Sequence, residues 1–270
     1  MSSIPILDTK CLFISLLKRW ECDLVLDIGS RDGKQAILFR DTLPKAGVVA
    51  YEANPYNYRR IISDKIFLSK NIKLHQCAVS NANGTATFHV SKADYSAPET
   101  VTNNLGTSSL LSAKEWETAE RIEVPTERLD ALFSKPEMAK NKRAALWIDV
   151  EGAEYFVLEG IGEMAEKVAL VHVETALVPL RKGQKTLDEI KTLLGNYGLD
   201  PIGSNISSSQ NWGDVVFCRR NLIKSRIKDV RFAMQIAKLQ YFLGGNNFAM
   251  KFKRVPWLFK SIRWLFIRLS

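Results

Sequence analysis

Hydrophobic positions along the 270-residue chain follow two alternating rhythms. Short runs rich in Val, Leu and Ile occupy residues 23–28, 47–51, 72–77, 144–150, 168–174 and 214–219. Runs of that length and composition predict strands buried on both faces. Residues 85–90 alternate apolar with polar, like a strand buried on one face. Between these runs, residues 34–40, 57–65, 153–160 and 187–197 carry apolar side chains at helical spacing. Leu12, Leu16 and Arg19 fit an amphipathic lead-in helix over residues 8–20. Strands alternating with helices predict an α/β fold, a largely parallel sheet with helices on both faces. In such a sheet ligands gather beyond the carboxyl ends of the strands, near the switch in strand order.

Composition narrows the class. With 46% hydrophobic and 25% charged residues the chain resembles neither a disordered segment nor a multi-span membrane protein. Four scattered cysteines, Cys11, Cys22, Cys77 and Cys218, make no disulfide framework and no zinc-type pair. The net charge of +9 is unevenly spread. Thirteen of the 38 Lys and Arg, but only one of the 29 acids, fall in residues 219–270, so that segment carries +12 and the rest −3. The division expected is a domain over residues 1–220 and a basic, aromatic-rich tail over 221–270. Around a helix, Lys260, Arg263 and Arg268 fall on one side, and Leu258, Phe259, Ile262, Leu265 and Phe266 on the other. That pattern suits an anionic membrane surface. A helix folded back on the domain, a dimer contact and a nucleic-acid patch are the competing readings. The N-terminus lacks the basic start of a signal peptide. The expected location is the cytoplasm, with the tail on the inner face of the membrane.

The strand ends hold the candidate chemistry. After residues 23–28 comes Gly29-Ser-Arg-Asp-Gly33, and residues 47–51 end in Glu52-Ala-Asn54. A glycine turn opening a helix, followed about 20 residues later by an acid at the next strand end, fits a nucleoside cofactor whose ribose the acid would hold. Neither the GxGxxG spacing nor a P-loop is present. Asp27, facing that turn, would repel a pyrophosphate but suits a cationic ligand such as S-adenosylmethionine. The alternative is that Asp27 stabilises the turn.

Together Asp27-Ile-Gly-Ser-Arg-Asp-Gly33, Tyr51-Glu-Ala-Asn54 and Trp147-Ile-Asp-Val-Glu-Gly-Ala-Glu154 resemble the FkbM family of methyltransferases. The resemblance extends through Asn104-Leu-Gly-Thr-Ser-Ser109, Val124-Pro-Thr-Glu-Arg-Leu-Asp130 and Val171-His-Val-Glu174, covering residues 20–218. It implies a Rossmann-like sheet of seven strands, S-adenosylmethionine as methyl donor, and a hydroxyl acceptor, often on a sugar or a polyketide-type product. Carried over by position, Asp27, Gly29, Ser30 and Gly33 border the methionine part, with Glu52, Ala53 and Asn54 at the ribose. Ala78 and Val79 border the adenine, and Asp149 stands beside the methyl group. Arg31 departs from the family loop, which usually has a smaller polar residue there.

Methyl transfer to a hydroxyl calls for a base. Asp149 and Glu151 end one predicted strand; His172 and Glu174 end another. Residues two apart share a strand face, so the four can face one mouth. His172, oriented by Asp149 or Glu174, is the candidate base; a hydrogen-bonded core histidine and helix-capping acids are the alternative. The same four groups could bind a divalent metal, which is not expected. Residues 91–112 read as a long polar loop. Asn104, Ser108 and Ser109 from it, and Trp212 from a second loop, are candidate contacts to a sugar or glycolipid acceptor. An RNA methyltransferase holding nucleic acid through the basic tail is the alternative function; the oligomeric state has no signature.

Overall fold

The computed structural model describes residues 4–91, 106–113, 118–134, 143–207 and 209–244. Among them are ten strands: β1 (Leu24–Ile28), β2 (Gly47–Tyr51), β3 (Lys73–His75), β4 (Ala78–Ser80), β5 (Gly84–Ser91), β6 (Thr118–Arg128), β7 (Ala144–Ile148), β8 (Val168–Ala176), β9 (Leu199–Ser204) and β10 (Trp212–Arg219). Seven form the main sheet in the order β3-β2-β1-β7-β8-β10-β9. From β3 to β8 neighbours run parallel, while β10 is antiparallel to both β8 and β9. The expected α/β sheet of seven strands is therefore present. Strand order turns back between β1 and β7, which places a crevice above their carboxyl ends.

Helices cover both faces. On one side lie α1 (Thr9–Trp20), α2 (Lys34–Thr42), α3 (Pro55–Ser63) and the short α4 (Lys65–Ser69). Asp8 caps α1 by accepting from the Cys11 amide at 2.8 Å, and Leu12, Phe13, Leu16, Leu17 and Trp20 bury its apolar face. They pack with Phe39 of α2 on Val25, Ala145, Trp147 and Val216 of the sheet. Opposite are α5 (Leu129–Phe133), α6 (Glu154–Glu159) and α7 (Leu187–Asn196). Their Leu132, Phe133, Val157, Leu158, Ile190 and Leu194 meet Leu26, Ile28, Leu146, Val171 and Phe217. Thr186 and Glu189 close a reciprocal cap at the start of α7.

Several elements lay outside the predicted pattern, among them β6, β9, α8 and α9, each of these for a local reason. Strand β6 contains Pro125, yet its pairing with β4 begins only at Thr126, so the proline sits where that side of the strand is still an edge. Strand β9 contains Pro201 and tolerates it at the edge of the main sheet. Beyond Arg219 the chain continues as α8 (Arg220–Ser225) and α9 (Ile227–Gly244). Val230, Ala233 and Ala237 of α9 are buried against α1. Arg19 of α1 stacks over Phe232 at 4.0 Å and faces Asp229 at 3.7 Å. This half of the expected tail folds back on the domain, because apolar residues at helical spacing lie among its basic ones. The amphipathic pattern over 257–269 lies outside the described residues, as does Asn104. No helix among the described residues is long and apolar enough to cross a membrane.

His172 lies inside this core, not at the strand mouth. Its ring stacks on Trp147 at 3.5 Å, meets Phe13 edge-on, and contacts the Thr9 hydroxyl through Nε2 at 3.3 Å. Burial holds it neutral and lowers its pKa from 6.5 to about 4. An unfolded chain binds this proton below about 6.5, the folded chain only near 4, so the contribution to stability is full above 6.5 and is lost as pH falls toward 4. His172→Phe keeps the stack and removes the titration. It should flatten the loss of stability between pH 6.5 and 4, worth about 3 kcal/mol at the acid end; an unchanged urea midpoint-versus-pH curve would count against this placement.

Candidate active site

The site forms where the loops after β1, β2 and β7 converge. The Asp149 amide donates to Ile28 O at 2.9 Å, and the amides of Gly29 and Ser30 both donate to Tyr51 O at 3.0 Å. Gly29 has φ +87°, and a Cβ there would lie 1.8 Å from the Asp149 carbonyl oxygen. Only glycine allows that approach. Above the contact opens a crevice of about 640 Å³, measured out to its mouth. Ile28, Gly29, Arg31, Tyr51, Glu52 and Ala53 line one side, and Asp149, Val150, Glu151 and Ala153 another. Cys77, Ala78, Val79 and Phe88 form an apolar wall from the small β4-β6-β5 sheet, and Gly106, Ser108 and Leu110 cross above.

Glu52 is buried and organises the two loops it joins, accepting from the Arg31 amide at 2.7 Å and the Asn54 amide at 2.8 Å. Asn54 in turn caps α3 through the Tyr56 amide and donates to Ser108 at 3.2 Å. Of the residues expected at a cofactor, Gly29, Glu52, Ala53, Ala78, Val79 and Asp149 line the crevice. Asp27, Ser30 and Gly33 stand behind it. Asp27 accepts from the Ser30 hydroxyl at 2.6 Å, and burial pushes its carboxyl up to about 7. Gly33 has φ +74° at the start of α2 and packs against Phe67. These contacts match the reading in which Asp27 stabilises the turn. Ser109 is also turned inward: it accepts from the Leu111 amide and pairs its backbone with His89.

Three of the four candidate catalytic groups meet. Carboxylate oxygens of Asp149, Glu151 and Glu174 lie within 4.8 Å of one another. Register explains the meeting, and also explains why His172 is absent from it. Trp147 pairs with His172, and Glu174 with Asp214. Asp149 and Glu174 are each two residues farther along the same face, beyond the core, whereas His172 is one repeat too deep. Glu151 has φ +59°, and the loop holding it is folded by buried Glu154, which accepts from the Val150 and Gly152 amides at 3.2 and 2.9 Å. Burial raises Glu154 to about 7.

Arg181 answers this charge. Its buried guanidinium donates to Glu151 at 3.0 Å and to Thr107 O at 2.8 Å, and Gly152 leaves room for its Cδ. Nothing in the hydrophobic rhythm marked it; only its place just after a strand end did. Even so, burial and then Asp149 push Glu151 up to about 8. Burial, then Asp149 and Glu151, raise Glu174 strongly. Asp149 is raised by the protein packed around it and then by Asp214, although its side chain still meets solvent along the open side of the crevice. All three carboxyls are therefore held above the ordinary carboxylate range, by burial first and by one another next. By position it could also hold a divalent ion. A second crevice, of about 830 Å³ to its mouth, begins at Glu151 and Glu174 and runs past Thr175, Arg181 and Gln184 to Trp212.

A family profile described as "Methyltransferase FkbM domain" matches residues 27–200. The chain belongs to the FkbM methyltransferase family. It is 31% identical over 189 residues to 2-O-methyltransferase NoeI of Sinorhizobium fredii, covering 69% of this chain and 76% of that one. Among solved structures, methyltransferase FkbM of Methylobacillus flagellatus is similar at TM-score 0.42 and 14% identity, over 73% of this chain and 44% of that chain. Magnesium protoporphyrin IX methyltransferase of Synechocystis with bound SAH is similar at TM-score 0.40 and 11% identity, over 78% of this chain and 84% of that chain. Membership in the FkbM family makes the chain an S-adenosylmethionine-dependent methyltransferase.

Gly29→Ala should cost about 3 kcal/mol or more, because it adds both a clash and an unfavourable φ. Urea denaturation checks this, and a loss below 1 kcal/mol would mean that the two loops do not touch as described.

Proposed function

We propose that this chain transfers a methyl group from S-adenosylmethionine to a hydroxyl of a sugar. The observation that carries the reading is the junction of two crevices at the Asp149–Glu151–Glu174 trio. The first crevice fits the donor on this protein's own residues. Gly29 removes the side chain that would fill it, Glu52 presents a carboxylate at the end of β2, and Ala78, Val79, Phe88 and Leu110 offer an apolar slot for a flat base. Its several acids and single arginine suit a ligand bearing positive charge. Bound there, S-adenosylmethionine supplies an electrophilic methyl group on sulfur.

The rest falls to the chain. Glu52 holds the ribose hydroxyls and fixes the donor's position. Asp149, raised above the ordinary carboxylate range yet open to the crevice, accepts the proton from the acceptor hydroxyl. Glu151 and Glu174, both raised by burial and by their acidic neighbours, hydrogen-bond the acceptor. Arg181 holds Glu151 and the segment over residues 106–108 in place. Oxygen as the methylated atom accords with the name of the NoeI relative, and the neutral and acidic donors along the second crevice suit a polyhydroxylated ring.

Calorimetric titration with S-adenosylmethionine, with NADH as control, tests the donor site. Glu52→Ala should weaken binding at least tenfold, and unchanged affinity would remove Glu52 from it. Asp149→Asn should bind the donor but lose over a hundredfold in labelled-methyl transfer to sugars. In the unaltered protein that rate should fall as pH drops through the Asp149 pKa, since the base must be ionised; a pH-independent rate would remove Asp149 as base.

We also infer that the basic, aromatic-rich sequence over residues 251–270 carries the protein to an anionic membrane. Charge attraction and interfacial Trp257 and Trp264 support this reading. The full chain should float with phosphatidylglycerol vesicles, and Lys260→Glu with Arg263→Glu should reduce that fraction severalfold; equal flotation of both proteins would refute it.

A further inference from the structure

Helix α9 buries one face and leaves the other to water. Val230, Ala233, Ile236 and Ala237 are buried, which fixes the side turned to the domain. Lys228, Arg231, Gln235, Lys238 and Phe242 recur at intervals of three or four residues, so they form one stripe along the opposite side. Every one of them is exposed. The stripe holds no acid, because the single acid of the helix, Asp229, pairs with Arg19 and Arg226 at 3.7 and 3.8 Å. Toward the carboxyl end the exposed face turns apolar. Leu239 is 41% and Phe242 57% exposed, and the half-exposed Tyr241 meets Phe242 edge-on.

That apolar end stands at the same end of the molecule as the crevices. Helix α1 runs against the parallel strands: Thr9, at its start, reaches His172 late in β8, and Trp20, at its end, accepts from Arg143 just before β7. Helix α9 in turn runs against α1. Its Asp229 and Phe232 meet Arg19, whereas Ala237 O accepts from the Asp8 amide at 3.1 Å. Helix α9 therefore points the same way as the strands. From Ala237 it continues to Gly244, about 10 Å at 1.5 Å per residue. Glu174 of the acid trio lies only about 7 Å along β8 from His172. Leu239, Tyr241 and Phe242 thus reach the level of the strand mouth.

We propose that the exposed stripe of α9 lies on an anionic bilayer with its aromatic end deepest, which holds the strand mouth at the level of the lipid headgroups. The inference rests on the membrane reading of residues 251–270 and gives the folded domain a docking face and an orientation. Cations without acids meet anionic headgroups, and large apolar side chains at one end meet the acyl boundary. The chain past Gly244 brings six more Lys and Arg and no acid, so the attraction continues directly from this end of the helix. A nucleic acid would match the cations but leave the aliphatic Leu239 unmatched.

Flotation of the full-length protein with phosphatidylglycerol vesicles tests the face. Arg231→Glu with Lys238→Glu should cut the floating fraction at least threefold, and Phe242→Asp at least twofold. Lys45→Glu with Lys65→Glu, the same change of charge at exposed positions outside α9, should leave it nearly unchanged. Should the α9 pair misfold by its melting curve, Arg231→Gln with Lys238→Gln takes its place and should cut the fraction about twofold. Energy transfer from a cysteine-bound dye to a headgroup-labelled lipid tests the orientation. The dye goes on Gln210→Cys, beside the end of β8, or on Lys45→Cys, before the start of β2. Both carry Cys11→Ser, since the other three cysteines are buried. Transfer should be stronger from position 210. Flotation of the α9 variants equal to that of the unaltered protein overturns the proposal and leaves the reading of residues 251–270 standing. An equal loss in the Lys45 and Lys65 pair reduces the effect to net charge and overturns it, as does equal or reversed transfer from the two dyes. An α9 pair that loses only polyuridylate binding, or only self-association, assigns the face to RNA or to a second copy and equally overturns it. Failure of the unaltered chain to float overturns the reading of residues 251–270 and this one together.

Discussion

Backbone meets backbone where the loop after β1 passes the loop after β7, and no side chain fits between them. Gly29 rests on the Asp149 carbonyl at a distance that even a methyl group would violate. From this contact the rest of the site follows. It joins the two strands across the point where strand order turns back, so the crevice opens above it. It also fixes the Asp149 backbone, and with it the starting point of the short loop that carries Glu151. Glu154 then folds that loop from within by accepting two of its amides. One glycine and one buried acid thus set the positions of two carboxylates that must meet a third from β8.

Assembling those carboxylates has an electrostatic cost that the protein offsets in part. Arg181 supplies one full positive charge, buried and held by two acceptors. Arg31 lowers the Asp149 pKa from the other side. The balance still leaves the acids raised, which is the condition a neutral-pH proton acceptor requires. The same row of strand ends extends to Asp214, the cross-strand neighbour of Glu174, which holds Asn205 at 2.7 Å. Below that row the face changes at once to aromatic core: Trp147, His172 and Phe13. One step of two residues along β7 or β8 therefore separates a group in the reaction crevice from one held neutral in the interior.

That step shows how far the sequence could be read. Alternation placed His172 and Glu174 on the same face, and they are on the same face. Depth was the missing coordinate, because it depends on α1 lying across the strand and reaching Thr9 to the ring. Similarly, the basic count beyond Arg219 described a tail, while Val230, Ala233 and Ala237 fold its first half against α1. Pro125 and Pro201 both lie within strands, each at a position where one side of its strand is an edge. Arg181 had no periodic signal at all. Its importance comes from Glu151 and Thr107, which are distant from it along the chain.

The sequence by itself determined the α/β architecture, the glycine turn after β1, the acid ending β2 and the acidic loop after β7. Those features depend on local rhythm and on residue types at strand ends, and short-range backbone physics is sufficient to specify them. Tertiary structure alone decided which groups share a cavity: Glu174 joined to Asp149 and Glu151, His172 withdrawn into the core, Asp27 behind the turn, and Trp212 at the mouth of a second crevice. These outcomes depend on register between strands and on how deep each residue lies under a helix. Both are set by packing across the whole sheet, and no stretch of the chain carries that information alone.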